Sequence, residues 1–349
     1  MKTVLKNQFR FRSFFCSLVL CALLTGITSC KKDDPVEKKN EVKVSEFTPD
    51  ATFVVKNAEE SMPVWVNGNK NANAIILVMH GGPGSDVLDF RAYKDGLAFK
   101  KIEANYLVAY WQQRASGQST GPDISKYYTI DQYVDDADKV IEELVKTYPG
   151  KKIVLFAHSW GGMLSSSYLK DEKRRNKIAA WIDAAGAHNG TSLLKTTTDD
   201  VNAEVDSRIA AGKNTEVWKE IKKVVKEQPE KINSIAYLLT AEIPEVVIKV
   251  DNVDFKMSSR GHSSNSYLFK EIIKRDNNPF LTDVKMPCLV LWGKYDFAVS
   301  RTYQKEFLKN IGSKDVTNVD FNASGHYMMF HEPDLFAKSI LDFMSKHKL

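Results

Sequence analysis

Ser159, Asp296 and His326 are the residues of this chain whose types can together transfer an acyl group. A serine hydroxyl becomes a strong nucleophile when a histidine takes its proton. The histidine is held in the right tautomer when a carboxylate binds its second ring nitrogen. Ser159 lies in Ala157-His158-Ser159-Trp160-Gly161, directly after the apolar run 153–156. This spacing fits the G-x-S-x-G nucleophile elbow, a strained strand-to-helix turn that needs small residues two positions either side of the serine. Ala157 stands in for the first glycine. Asp296 follows the apolar run that ends at Gly293, and His326 follows residues 316–321. His80-Gly81-Gly82-Pro83-Gly84 adds a glycine-rich loop. The backbone N–H groups of Gly82 and of Trp160 are the expected donors to the oxyanion of a tetrahedral intermediate.

These residues meet only if the elements before them lie side by side. The apolar runs 74–79, 106–110, 153–156, 179–184 and 287–293 read as strands, with a further strand near 316–321 and shorter strands at 52–55 and 63–66. Thr129-Ile130-Asp131-Gln132 is a capping-box pattern, and the helix behind it puts Tyr133, Ala137, Val140, Ile141 and Leu144 on one face. Strands alternating with helices predict a mostly parallel sheet flanked by helices. Loops after parallel strands open on one sheet edge, so Ser159, Asp296 and His326 are expected to converge there. Among the other histidines, His80 and His158 are expected to support the geometry, His331 is the rival base, His188 and His262 are assigned to the cap or its hinge, and His347 to the tail.

Between residues 188 and 283 the pattern turns helical, with Val201, Val205 and Ile209, then Trp218, Ile221 and Val225, at three- and four-residue spacing. This predicts a helical cap at 188–283 inserted in a core made of 50–187 and 284–349. The chain has 349 residues, 43% hydrophobic and 27% charged, ordinary values for a globular protein. Residues 1–29 read as a signal segment: Lys2, Lys6, Arg10 and Arg12 precede an apolar stretch too short to span a membrane comfortably. Ile27-Thr28-Ser29-Cys30 resembles the lipobox of bacterial lipoproteins, which implies a lipid on Cys30 and a place in the bacterial cell envelope, at the outer membrane or cell surface. Residues 30–49 are charged and read as a flexible tether. Cys16 and Cys21 leave with the signal, so Cys288 is the one cysteine left in the folded part. Neither a disulfide within one mature chain nor a zinc cluster is expected, and no metal or organic cofactor is needed. Loss of residues 1–29 lowers the formal charge from +5 to +1, because the segment carries four bases and no acid. No basic footprint for nucleic acid remains.

The motifs His80 to Gly84, Gln113-Arg114 with Gly117 and Ser119, His158-Ser159-Trp160-Gly161, Gly293 with Tyr295-Asp296, and Gly325-His326 resemble the proline iminopeptidase branch of the α/β-hydrolase superfamily. The resemblance implies an α/β-hydrolase fold, a serine peptidase triad, and an aminopeptidase acting on short peptides. Two positions depart from it. The branch has D-Q-R-G-x-G-x-S where this chain has Gln112 for the aspartate and Ala115 for the glycine. Its cap glutamates, which hold the substrate amine, include one in an E-N-H-Y-like segment, and the nearest stretch here is Ser264-Asn265-Ser266-Tyr267. Glu220, Glu242 and Glu245 are candidate substitutes. A carboxylesterase or other acyl hydrolase is the alternative reading, and a non-catalytic binding protein on the same fold is a third. Epoxide hydrolases and dehalogenases of the superfamily carry aspartate where Ser159 stands.

Overall fold

A strand buried on both faces must be apolar throughout, and the runs that meet this condition form the middle of the sheet. The computed structural model describes residues 51–92, 97–212, 214–232, 235–236 and 257–349. The signal segment, Cys30, the tether, Glu242 and Glu245 lie outside the described residues. The strands are β1 (Phe53–Asn57), β2 (Glu60–Gly68), β3 (Ala74–Met79), β4 (Leu107–Trp111), β5 (Lys152–His158), β6 (Ile178–Ala184), β7 (Cys288–Gly293) and β8 (Val316–Phe321). They form one sheet in the order β1-β2-β4-β3-β5-β6-β7-β8. The β1–β2 and β2–β4 pairs are antiparallel, and every pair from β4 through β8 is parallel. β5 therefore sits between β3 and β6, with Phe156 in register with Val78 on one side and Ile182 on the other.

The fold class is as expected, and one boundary differs in an instructive way. β2 is nine residues long and begins at Glu60, well before the apolar stretch at 63–66. Its polar ends are carried along by two successive ladders, Glu60 to Val64 on β1 and Val64 to Gly68 on β4. Strand pairing overrides a weak local pattern.

The helices are α1 (Leu88–Ala92), α2 (Leu97–Glu103), α3 (Ile130–Thr147), α4 (Trp160–Leu169), α5 (Glu172–Arg175), α6 (Leu193–Ala210), α7 (Thr215–Glu227), α8 (Ser259–Ile272), α9 (Asn278–Leu281), α10 (Arg301–Asn310), α11 (Met328–His331) and α12 (Pro333–Lys346). Thr129 caps α3, its hydroxyl accepting from the Gln132 amide at 3.2 Å. α4 is buried along its whole length, as a helix wedged against the sheet must be. Between β6 and β7, α6 and α7 share a separate apolar cluster of Val201, Val205, Trp218 and Val225 with Tyr295 and Phe297. Those two aromatics flank Asp296, so this second cluster is built onto the loop that carries the carboxylate.

Asp136 interrupts the apolar face of α3 and is fully buried. Arg114 answers it with two bonds, Nε to Oδ2 and Nη2 to Oδ1, both 2.8 Å, and donates further to the carbonyls of Asn57 and Ala58. Glu60 lies 3.8 Å from the same guanidinium and pairs with Arg260 of α8. The loop after β4, the β1–β2 hairpin, α3 and α8 are thereby tied at one point. Breaking such a pair leaves buried carboxylates without a counter-charge, so Arg114→Met is expected to lose about 3–5 kcal/mol of stability. Urea unfolding of the purified protein measures it; an unchanged midpoint would show that the network holds nothing.

Candidate active site

Ser159 is the one residue between β5 and α4, and its backbone sits at φ 56°, ψ −117°. A non-glycine residue holds such angles only where its surroundings impose them. Three hydrogen bonds do so: Ser159 N to Ala184 O at 3.3 Å, Ala187 N to Ser159 O at 3.0 Å, and Gly162 N to Ser159 O at 2.8 Å. Gly161 leaves no room for a side chain, since a Cβ there would lie 2.0 Å from the Met79 carbonyl oxygen. This is the physical reason for a small residue two positions past the serine.

Asp296 and His326 meet as expected from the two strand ends. His326 Nδ1 and Asp296 Oδ2 are 2.8 Å apart, and both residues are buried. The other carboxylate oxygen accepts from the Ala298 and Val299 amides at 3.0 and 2.9 Å, which fixes the carboxyl plane. Asp296 thus points Nδ1–H of His326 at itself and leaves Nε2 as the ring's basic nitrogen. His158 stacks at a tilt against His326, ring centres 4.6 Å apart, and donates Nε2–H to the His326 carbonyl at 3.0 Å. Burial, and the nearby rings of His326 and His80, keep its pKa well below the usual value. His331, the rival base, has a different partner. Its Nδ1 accepts from the Gly325 amide at 3.2 Å, and burial lowers its pKa to about 4.

The glycine-rich loop lies against the elbow. A Cβ on Gly81 would come within 3.1 Å of the Ser159 Cβ. Gly82 has φ +118°, and the Gly82–Pro83 peptide is cis. Among the described residues, neither the Gly82 nor the Trp160 amide is taken up by a turn hydrogen bond. Gln113 joins the two donor segments: its amide nitrogen gives to the His80 carbonyl at 3.1 Å, and its oxygen accepts from Trp160 Nε1 at 2.9 Å. His80 donates Nδ1–H to the Gly81 carbonyl at 2.7 Å. Such an assembly can stabilise charge that develops on a carbonyl oxygen above Ser159.

The two departures have structural answers. The Gln112 amide, with its nitrogen toward Asp86, makes a 2.7 Å bond to Oδ1, so the carboxylate comes from across the loop. Ala115 holds φ +55°, a conformation glycine would adopt without strain. α8 lies over the glycine-rich loop: Asn265 Nδ2 donates to the Pro83 carbonyl at 3.0 Å, and the Gly261 backbone abuts Gly84. Ser264 is buried and donates to the Gly261 carbonyl at 3.0 Å, while Tyr267 is exposed. Glu220 stands on the exposed side of α7.

Comparison with known proteins agrees with this geometry. The family described as Serine aminopeptidase, S33 matches residues 70–237. The probable aminopeptidase YbaC of Bacillus subtilis is 23% identical over 79% of this chain and 90% of its own length. The proline iminopeptidase of Saccharolobus solfataricus is 26% identical over 79% of this chain and 86% of its own. The crystal structure of the proline iminopeptidase of Mycobacterium smegmatis superposes with a TM-score of 0.59 at 17% identity, covering 85% of this chain and 98% of that one. This chain is a hydrolase with the α/β-hydrolase fold, similar to serine aminopeptidases and proline iminopeptidases. Its sequence hid several residues that hold the site. Glu60, Asp136 and Arg260 were not read as partners of Arg114, although an aspartate inside the apolar stripe of α3 was a visible sign of a buried cation. His188, assigned to the cap or its hinge, instead has its ring in the core between Trp181 and Phe307.

The hydrolase keeps His80 and His331 uncharged by burial, each with its pKa brought down from 6.5 to about 4. The unfolded chain takes up these protons near pH 6.5 and the folded one only near pH 4. Between those values the unfolded state binds more protons, so stability must fall as pH falls through the window. For fully buried His80 the whole effect is about 3 kcal/mol. Urea midpoints measured from pH 7 to pH 4 should decline, and less steeply in His80→Asn; equal slopes in the two proteins would contradict the assignment.

Proposed function

We propose that this hydrolase is an aminopeptidase on short peptides, working through Ser159, His326 and Asp296. The 2.8 Å Asp296–His326 bond, set beside a serine held at positive φ, is the observation that carries the reading. His326 Nε2 takes the Ser159 proton as Oγ attacks the substrate carbonyl carbon. The oxyanion is met by the Gly82 and Trp160 amides. Collapse of the intermediate breaks the C–N bond, and His326 returns the proton to the leaving amine. Water, deprotonated by the same nitrogen, then releases the acyl group from Ser159. The relatives described as aminopeptidases and proline iminopeptidases support a peptide substrate. The reaction so written asks for no metal or organic cofactor.

A second reading, a carboxylesterase with the same triad, is favoured by one observation. The segment of α8 above the glycine-rich loop, Ser264-Asn265-Ser266-Tyr267, is neutral and offers no acid to a substrate amine. A peptide amine would then need another carboxylate from the cap. We also propose that the mature chain starts at a lipid-bearing Cys30 in the bacterial cell envelope, with 31–49 as tether; its signal-like sequence supports this.

Turnover of proline β-naphthylamide and p-nitrophenyl butyrate, with Ser159→Ala as control, separates the readings. Cleavage of the amide, abolished when its amine is acylated, is the result expected for the aminopeptidase. Cleavage of the ester alone selects the second reading, and no turnover of either that Ser159→Ala removes would defeat both.

A further inference from the structure

A second buried histidine–carboxylate pair lies behind the elbow. His188 Nε2 and Asp183 Oδ1 are 3.1 Å apart, and the two side chains are 1% and 0% exposed. Neither touches the reacting atoms. Asp183 is in register with Ala157 of β5, two residues before the nucleophile. The His188 ring is held against Phe307, centres 4.7 Å apart, and meets the edge of Trp181 at 5.6 Å. Among the described residues, Asp183 Oδ2 and His188 Nδ1 have no hydrogen-bond partner. A pair left half-satisfied in the core costs stability that an apolar pair of similar volume would not. Its retention calls for something that apolar packing would not supply.

What it supplies is direction. Between Asp183 and His188 the chain curls through Ala185 at φ +50° and through Gly186, where a Cβ would lie 2.1 Å from Asp183 Oδ1. The pair closes that curl end to end. Inside it lie Ala184, whose carbonyl accepts the Ser159 amide, and Ala187, whose amide serves the Ser159 carbonyl. The same curl braces α4, because a Cβ on Gly162 would be 2.4 Å from the Gly186 Cα. The Ala185 amide anchors to Leu291 of β7 at 3.0 Å, and the His188 carbonyl accepts from the Asn277 amide at 2.9 Å.

We infer that Asp183 and His188 are positioning residues, a clasp that holds the curl 184–187 in the shape that keeps Ser159 at its strained angles. Without the clasp the curl relaxes, the two backbone bonds to Ser159 lengthen, and Oγ drifts from the line of attack. An ångström of such drift is enough to slow a reaction strongly while leaving substrate contacts intact. The effect therefore falls on kcat and on the reactivity of Ser159, with KM nearly unchanged. This inference rests on Ser159 being the nucleophile.

The test compares Asp183→Leu, Asp183→Asn and wild-type full-length protein. It reads kcat and KM on the substrate that wild type turns over, and the rate of inactivation by a fluorophosphonate. Asp183→Leu is expected to lower kcat and the inactivation rate at least tenfold with KM within twofold, and Asp183→Asn, which can still bond His188, to recover most of both. A folded Asp183→Leu inactivated at the wild-type rate, or one in which only KM changes, overturns the inference. Should Asp183→Leu not fold, His188→Asn, whose side chain is too short to reach Asp183, is read by the same criteria. Wild-type protein that the reagent does not label at Ser159 is a different outcome: it removes the nucleophile itself and the clasp with it.

Discussion

The site depends on one constraint, the backbone of Ser159 at φ 56° and ψ −117°. Holding a non-glycine residue there costs about 1–3 kcal/mol, and the surrounding structure must supply it. It does so through contacts that require close backbone approach. Gly161 presses on the Met79 carbonyl of β3, Gly162 on the curl after β6, and the serine's amide and carbonyl bond into that curl. The central position of β5 makes this possible, because its neighbours β3 and β6 both end at the same edge. The strain lifts the serine side chain out of the turn that an ordinary helix start would give it.

From that point the remaining parts of the site are coupled by short polar chains rather than by apolar packing alone. Trp160 is linked through Gln113 to the His80 carbonyl, which ties the elbow to the glycine-rich loop. α8 is fastened to the same loop by Asn265 and to β2 by Arg260. On the other side, Tyr295 and Phe297 fasten the Asp296 loop to the apolar cluster of α6 and α7. The glycine-rich loop and the Asp296 loop are thus each held by side chains from the helices packed against them.

Much of this frame was legible in the residues themselves. Continuous apolar runs such as 74–79 gave the central strands, and the Thr129 capping box placed the start of α3. The convergence of Asp296 and His326 followed from parallel strands ending at one edge. What could not be read were contacts between residues far apart in the chain that follow no local period. Glu60 has no local sign of its partner, because Arg260 lies 200 positions away. His188 looked like a hinge because its ring's neighbours, Trp181 and Phe307, come from β6 and α10. Gln112 and Ala115 looked like losses, yet Asp86 replaces the missing carboxylate from across the loop and the alanine accepts a positive φ.

In the proposed reaction the strained serine forms a covalent acyl intermediate with His326 as its base. The most direct measurement is mass spectrometry of the protein quenched rapidly during turnover of a p-nitrophenyl ester. One added acyl group per chain is expected, located on the peptide that contains Ser159 and absent when His326 is replaced by alanine. An acyl group found on another residue, or turnover with no covalent intermediate at any quench time, would contradict it.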